Sequence, residues 1–184
     1  MRERDLPRNT GSLADDFRDC IQCLNAHAVV YILVGAYAVG WHGVVRATGD
    51  IDFLYQQTPD NVHRLCAALR EYGAPPHLID REFLLSPDAV TQIGTAPLRV
   101  DLLASLTGVT FEEVLVSSIP IELDGERLRV IGLDALRKNK QATGRRKDRS
   151  DLRELPRESS PAPGAGTAGS SHGRRGSRAR RREE

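Results

Sequence analysis

The sequence has no long apolar run, only three cysteines, and positive and negative charges that nearly cancel, with a net charge of +1 over 184 residues. No apolar run approaches the roughly 18 residues that a membrane-spanning helix needs. The first 17 residues lack the apolar core of a secretory signal. We therefore expect a cytoplasmic protein with no membrane partner. Three cysteines also do not indicate the disulfide framework of a small secreted domain.

What the chain does contain is typical of one globular domain followed by a basic tail. Hydrophobic residues make up 40% and charged residues 28%, which is the balance of a soluble protein with a real core. Residues 156–184 hold seven Arg and three Glu, a net of +4, which leaves −3 for residues 1–155. That stretch is rich in Pro, Gly, Ser and Arg without apolar periodicity, so we predict a domain over 1–155 and a disordered tail over 156–184. The tail could bind nucleic acid through phosphates, or it could be a solubilising or non-native end.

Apolar spacing and turn residues predict the order of elements along the chain. The predicted elements are a helix over 13–26, a strand over 29–35, a short helix over 36–43, a strand over 50–55, a helix over 59–72, strands over 90–95 and 98–104, a helix over 110–118, a hairpin over 119–132, and helices over 133–143 and 147–155. This order predicts an α/β or α+β fold in which helices flank a mixed sheet.

Two aspartates, Asp50 and Asp52, stand one residue apart at the start of a predicted strand. Side chains at this spacing point to one face of a strand, where two carboxylates repel each other unless a cation lies between them. If the strand that carries Asp101 is a neighbour, its carboxylate can join them. Three carboxylates suit two Mg²⁺ ions that hold the reacting oxygens of a phosphoryl transfer. Alternatively, the pair caps a surface turn and Asp101 is a charge at a strand edge.

Further residues around this pair could contact a nucleotide. Gly35 and Ala36 follow an apolar strand and begin a helix, where free N–H groups can bind phosphate, although a plain strand-to-helix turn has the same pattern. Arg46 and Thr48 directly precede the carboxylates. Arg46 could bind a triphosphate oxygen or pair with the acidic residues themselves. Lys140 lies in a basic run that could reach nucleotide phosphates or RNA, or could form a solvated face.

Three segments also resemble the nucleotidyltransferase superfamily that includes DNA polymerase β: "LVGAYAV…HG…RATGDIDFLY", "RVDLLAS" and "VIGLDALRKNKQATGRRKDRSDLREL". The likeness is strongest to small bacterial proteins, some of them grouped with abortive-infection and toxin–antitoxin nucleotidyltransferases, and it covers roughly residues 28 to 155. It implies that Gly35 and Ala36 form a phosphate turn and that Asp50, Asp52 and Asp101 bind metal. Ala36 departs from the superfamily pattern, which has Gly or Ser at this position.

The resemblance implies a Mg²⁺-dependent nucleotidyltransferase that moves a nucleoside monophosphate from an NTP to an acceptor hydroxyl. In that function Asp50, Asp52 and Asp101 are the catalytic metal ligands. Gly35, Ala36, Arg46, Thr48 and Lys140 are the expected nucleotide-binding residues. The acceptor could be tRNA, a protein or a small molecule. The alternative is a non-catalytic binding module of the same fold that acts with a protein or RNA partner, for example in a toxin–antitoxin pair.

Overall fold

The computed structural model describes residues 8–9, 13–44 and 47–157. Seven strands form one mixed sheet in the order β1-β6-β7-β2-β3-β5-β4. The strands are β1 (Arg8–Asn9), β2 (Tyr31–Val34), β3 (Asp50–Tyr55), β4 (Val90–Thr95), β5 (Leu98–Leu103), β6 (Ile119–Leu123) and β7 (Glu126–Val130). The helices are α1 (Asp15–Ala26), α2 (Gly35–Trp41), α3 (Pro59–Tyr72), α4 (Arg81–Leu84), α5 (Phe111–Ser117), α6 (Leu133–Thr143) and α7 (Arg146–Glu154), with a 3₁₀ turn at Pro76–Leu78.

The predicted fold class is confirmed, and the helix α3 shows why its ends could be predicted. Its N-cap Thr58 accepts a hydrogen bond from the backbone N–H of Asn61, and Pro59 occupies the first turn, where a missing N–H costs nothing. Gly73 ends the helix in the left-handed conformation, with φ of 84°, which suits a residue without a Cβ. Residues at the two ends of α3 therefore determine where this helix begins and ends.

The strand β2 is shorter than the predicted 29–35 because its first two residues bond elsewhere. The Val29 N–H donates to the Leu24 carbonyl at the end of α1. The Val30 N–H donates to the buried Asn61 side chain at 2.7 Å instead of across the sheet. The Val30 carbonyl accepts from that side chain at 3.0 Å and also from the Gln56 N–H that follows β3. Gly35, predicted as the last strand residue, instead begins α2. A side chain distant in sequence therefore sets this boundary.

The strands β3 and β5 separate an apolar face of the sheet from a charged one. Ile51 and Phe53 of β3 are fully buried, as are Val100 and Leu102 of β5. Burying each of these side chains is worth about 1.5–3 kcal/mol. The Phe53 ring also packs edge-on against Tyr31 on β2, with ring centroids 5.2 Å apart. Because side chains alternate along a strand, the residues between them project to the opposite face, where the predicted carboxylates lie.

Some elements have no counterpart in the sequence prediction. The two-residue edge strand β1 pairs parallel to β6. The short α4 begins at Asp80, whose carboxylate accepts from the N–H groups of Glu82 and Phe83. The tail predicted over 156–184 lies, from residue 158 onward, outside the described residues. None of the helices in the described part of the chain combines the length and apolar composition needed to cross a membrane.

Candidate active site

The strand register brings the three predicted carboxylates to one face of the sheet. The strands β3 and β5 run parallel, and Asp52 lies directly opposite Asp101 while Asp50 lies opposite Arg99. Residues two apart on a strand share a face, and so do directly opposed residues on paired strands. Asp50, Asp52, Arg99 and Asp101 therefore form one group, which we call the carboxylate cluster.

Arg99 joins two of these carboxylates through a forked set of hydrogen bonds. Its Nε donates to Asp101 Oδ1 at 2.6 Å and its Nη2 donates to Asp101 Oδ2 at 3.0 Å. The same Nη2 donates to Asp50 Oδ2 at 2.8 Å. These bonds to Asp101 raise the pKa of the Arg99 guanidinium above its usual value. Planar guanidinium groups favour this paired geometry with carboxylates, so Arg99 holds Asp50 and Asp101 together by neutralising part of their charge.

Asp52 is held from the other side by the turn at the start of α2. Gly35 has a φ of +62°, and a Cβ at this position would overlap the Asp52 carboxylate. The backbone N–H of Ala36 lies near that carboxylate and acts to lower its pKa. Gly35 is therefore needed both for its backbone conformation and for its small size, and the predicted phosphate turn contacts the predicted metal ligand.

Burial disfavours the ionised form of the Asp52 carboxyl group. Removal from water, followed by the negative charge of Asp101, raises the pKa of the Asp52 carboxyl from 3.8 to about 6. The Ala36 N–H opposes that rise, and Arg99 opposes it more weakly. A carboxylate with a strongly raised pKa beside other carboxylates is a common feature of functional sites. Such a carboxylate gains free energy when a proton or a nearby cation neutralises its charge.

Three members of the carboxylate cluster, Asp52, Arg99 and Asp101, form the floor of a cleft of about 600 Å³. This volume lies in the range of pockets that bind small molecules and cofactors. Its walls include Val34, Gly35, Asp88, Gln92, Ser105, Asn139, Lys140, Thr143, Arg145 and Asp148. One wall comes from β4, β5 and the loops around them, and the other comes from α6 and α7. The acidic floor therefore lies between these two groups of elements.

Lys140, predicted as a nucleotide-binding residue, lies in the wall of this cleft in a buried ion-pair group. Its Nζ lies 3.0 Å from Asp148 Oδ1 and 2.7 Å from Asp151 Oδ2. We call these three residues the lysine cluster. The side chain of Lys140 is only 7% exposed, so its ammonium group is engaged across the α6–α7 junction. Contact between Lys140 and a nucleotide stays a prediction.

The other two predicted nucleotide-binding residues differ in how far the structure describes them. The Thr48 hydroxyl donates to the Asp50 carbonyl at 3.1 Å and accepts from the Asp50 N–H at 3.3 Å. Thr48 therefore fixes the start of β3 directly before the acidic pair. Arg46 lies outside the described residues, so its two alternative contacts remain predictions.

The donor set of the carboxylate cluster fits Mg²⁺ in chemistry, while its present arrangement is dominated by Arg99. Three carboxylates on one face provide the hard oxygen ligands that Mg²⁺ prefers. Yet within residues 13–44 and 47–157, no three His, Cys, Asp or Glu side chains form a group that is arranged to hold a metal ion. In this arrangement Arg99 donates to oxygens of both Asp50 and Asp101.

Sequence reasoning missed Arg99 and Gln92, although the signal for Arg99 was present. Arg99 stands two residues before Asp101, which is the same spacing that linked Asp50 to Asp52. Gln92 lies opposite Asp101 on β4 and donates to its Oδ2 at 3.3 Å. That contact depends on the register of the β4–β5 pair, which the sequence alone did not give.

Comparison with known proteins supports the fold through structure rather than sequence. No model of a protein family matches the chain, and no curated protein sequence matches it either. Among solved structures, it is similar to the crystal structure of a "putative nucleotidyltransferase" from Thermotoga maritima, with a TM-score of 0.50 and 13% sequence identity. The likeness covers 75% of this chain and 88% of that one. The chain therefore has a nucleotidyltransferase-like fold.

Proposed function

We propose that the protein is a Mg²⁺-dependent nucleotidyltransferase that moves a nucleoside monophosphate from an NTP to an acceptor hydroxyl and releases pyrophosphate. The observation that carries the proposal is the placement of Asp50, Asp52 and Asp101 on one face of β3 and β5, with Asp52 and Asp101 lining a cleft. The nucleotidyltransferase-like fold supports the same chemistry.

In this proposal Asp50, Asp52 and Asp101 are the residues that would hold Mg²⁺. The metal would neutralise phosphate charge and lower the barrier to attack by the acceptor hydroxyl. The raised pKa of Asp52, about 6, reflects its burial and then the negative charge of Asp101, which a bound cation would offset. Gly35 leaves room for the Asp52 carboxylate, and the Ala36 N–H favours its ionised form. The protein's own contribution is then positioning and electrostatic stabilisation.

The direct test is transfer of label from α-labelled NTPs in the presence of Mg²⁺. Three acceptor classes are offered in parallel: bulk tRNA, proteins of a cell lysate, and a hydroxyl-rich aminoglycoside-like compound. The wild type is compared with Asp52→Asn and with Asp60→Asn, a control that removes an exposed carboxylate from the first turn of α3. We expect transfer by the wild type and the control and its loss in Asp52→Asn. Transfer that survives Asp52→Asn unchanged would overturn the proposal.

One observation favours a second function, that of a binding module without catalysis. Arg99 already bonds Asp50 and both oxygens of Asp101, an arrangement that a purely structural acidic group would also adopt. A protein or RNA partner would then bind without nucleotide chemistry. This function predicts no label transfer to any acceptor, together with partner binding that Asp52→Asn leaves unchanged in a filter-binding or pull-down assay.

A further inference from the structure

We infer that Arg99 is a built-in counter-ion of the carboxylate cluster that competes with divalent cations, so that metal binding requires its release from Asp50 and Asp101. The inference concerns how the site is regulated and rests on the proposed metal-binding role of the three carboxylates. It assigns to Arg99 a positioning role, because its effect is exerted through Asp50 and Asp101.

The hydrogen bonds of Arg99 engage the same oxygens that a cation would use. Both oxygens of Asp101 accept from Arg99, and Asp101 Oδ2 also accepts from Gln92 at 3.3 Å. The Asp101 side chain is 9% exposed, so few of its lone pairs face open solvent. A carboxylate oxygen has a limited number of acceptor sites, and those held by a guanidinium are not available to a metal ion.

The charges of the cluster lead to the same conclusion. Three carboxylates and one guanidinium leave a net charge of −2 if all are ionised, whereas the carboxylates alone carry −3. The guanidinium stands within hydrogen-bond distance of two of the three ligands, so its positive charge opposes any second cation placed among them. Arg99 therefore lowers the affinity of the site for divalent metal while it stabilises the cluster without metal.

The position of Arg99 also allows it to leave. Its side chain is 33% exposed and Asp50 is 42% exposed, so one end of the fork borders solvent while the Asp101 end is enclosed. A flexible arginine side chain can therefore turn toward the open cleft, where a triphosphate would offer new partners for its donors. When metal and nucleotide bind together, the metal would replace Arg99 as the cation beside Asp50 and Asp101. The nucleotide phosphates would replace these carboxylates as the partners of Arg99.

The test measures Mn²⁺ affinity by electron paramagnetic resonance and calorimetry, with thermal unfolding in parallel, and needs no turnover. Three variants are compared with the wild type: Arg99→Gln removes the charge, Arg99→Lys keeps it without the fork, and Arg129→Gln is a matched control. Arg129 is a half-buried strand arginine whose guanidinium donates to the hydroxyl and the carbonyl of Ser118 rather than to a carboxylate.

We expect Arg99→Gln to bind Mn²⁺ about tenfold more tightly than the wild type, and to melt at a lower temperature in the presence of a chelator. Arg99→Lys should lie between them, and Arg129→Gln should leave Mn²⁺ affinity unchanged. A merely structural arginine would give the opposite sign, because disordering the ligands weakens metal binding. Unchanged or weaker Mn²⁺ binding in Arg99→Gln overturns the inference.

A further variant, Asp101→Asn, separates failure of this inference from failure of the proposed function. If the wild type binds Mn²⁺ and Asp101→Asn does not, the metal site stands, and the result for Arg99→Gln decides the inference alone. If neither the wild type nor Arg99→Gln binds Mn²⁺ and no label is transferred, both proposals fail together.

Discussion

Two groups of charged residues border the same cleft, and they differ in how their charges are balanced. The carboxylate cluster has three carboxylates for one guanidinium, and two of its members, Asp50 and Arg99, are 42% and 33% exposed. The lysine cluster has two carboxylates for one ammonium, and its side chains are between 5% and 13% exposed. If all groups are ionised, the carboxylate cluster carries −2 and borders solvent at its Asp50–Arg99 end, whereas the lysine cluster carries −1 and is enclosed.

This difference separates a group with excess negative charge that solvent can reach from a group that is closed around its cation. A cation from solvent can reach an enclosed ion-pair group only if the structure opens, so such a group mainly resists separation of its partners. An open group with excess negative charge retains attraction for a cation from solvent. Under the proposed function we therefore expect ligand binding at the carboxylate cluster, while the lysine cluster links α7 to α6.

The largest effect on stability is expected from Lys140→Met. This change leaves the enclosed carboxylates of Asp148 and Asp151 without their cation, which typically costs about 3–5 kcal/mol in free energy of unfolding. The control is Lys138→Met on the same helix, where a 56% exposed lysine pairs with a 49% exposed Glu113 and should cost about 1 kcal/mol or less. Urea unfolding measures both. Equal losses in the two variants would show that the lysine cluster is not a special case.

The largest effect on activity is expected from Asp101→Asn, compared with Asp148→Asn. Under the proposed function, loss of a carboxylate from the cleft floor should reduce label transfer by about a hundredfold or more. Asp148→Asn should change the transfer rate only a few fold while it lowers the unfolding free energy. Initial rates at saturating NTP and Mg²⁺ decide the matter. If Asp148→Asn abolishes transfer as Asp101→Asn does, the lysine cluster belongs to the catalytic site and is not a purely structural group.

The sequence predicted the carboxylate cluster better than the lysine cluster for a physical reason. The faces of Asp50, Asp52 and Asp101 follow from the two-residue period of strands, which is fixed by local geometry. Pairing of Lys140 with Asp148 and Asp151 depends on the angle at which α7 folds back on α6, which no periodicity gives. The basic run was therefore interpreted as phosphate-binding or solvated, while the structure places its Lys140 in an ion pair.

Boundaries were predictable where the neighbouring residues decide them and not where distant side chains do. Thr58, Pro59 and Gly73 delimit α3 through bonds within a few residues. By contrast, the buried Asn61 accepts the N–H of Val30, which β2 would otherwise use to pair with its neighbour, and so shortens β2. The arginine fork has the same character, because Asp50 and Arg99 meet only after β3 and β5 are paired. Contacts between residues distant in sequence therefore decide the features that local patterns do not predict.

A smaller effect on stability is expected from Gly35→Ala, which tests how the turn supports the carboxylate cluster. Gly35 has a φ of +62° and its Cβ would overlap the Asp52 carboxylate, whereas Gly125 has a φ of +86° with open space around it. The left-handed conformation alone costs about 1–2 kcal/mol for alanine, so Gly125→Ala measures that part. We expect Gly35→Ala to lose at least about 1 kcal/mol more in urea unfolding. Equal losses would mean that Asp52 moves aside without cost.

The last expectation concerns pH and isolates Asp52 within the carboxylate cluster. Its pKa is about 6 in the folded protein against 3.8 for an ordinary aspartate, so the folded state binds this proton more tightly than the unfolded state does. The contribution to stability is therefore complete below pH 3.8 and is lost as pH rises toward 6. Asp52→Asn cannot ionise, so we expect it to match the wild type near pH 4. At pH 7, without divalent cations, it should be more stable by about 1–3 kcal/mol. Unfolding free energies of both proteins at several pH values measure the difference. A difference that does not change with pH would place Asp52 in a solvated environment and remove the electrostatic contrast between the two clusters.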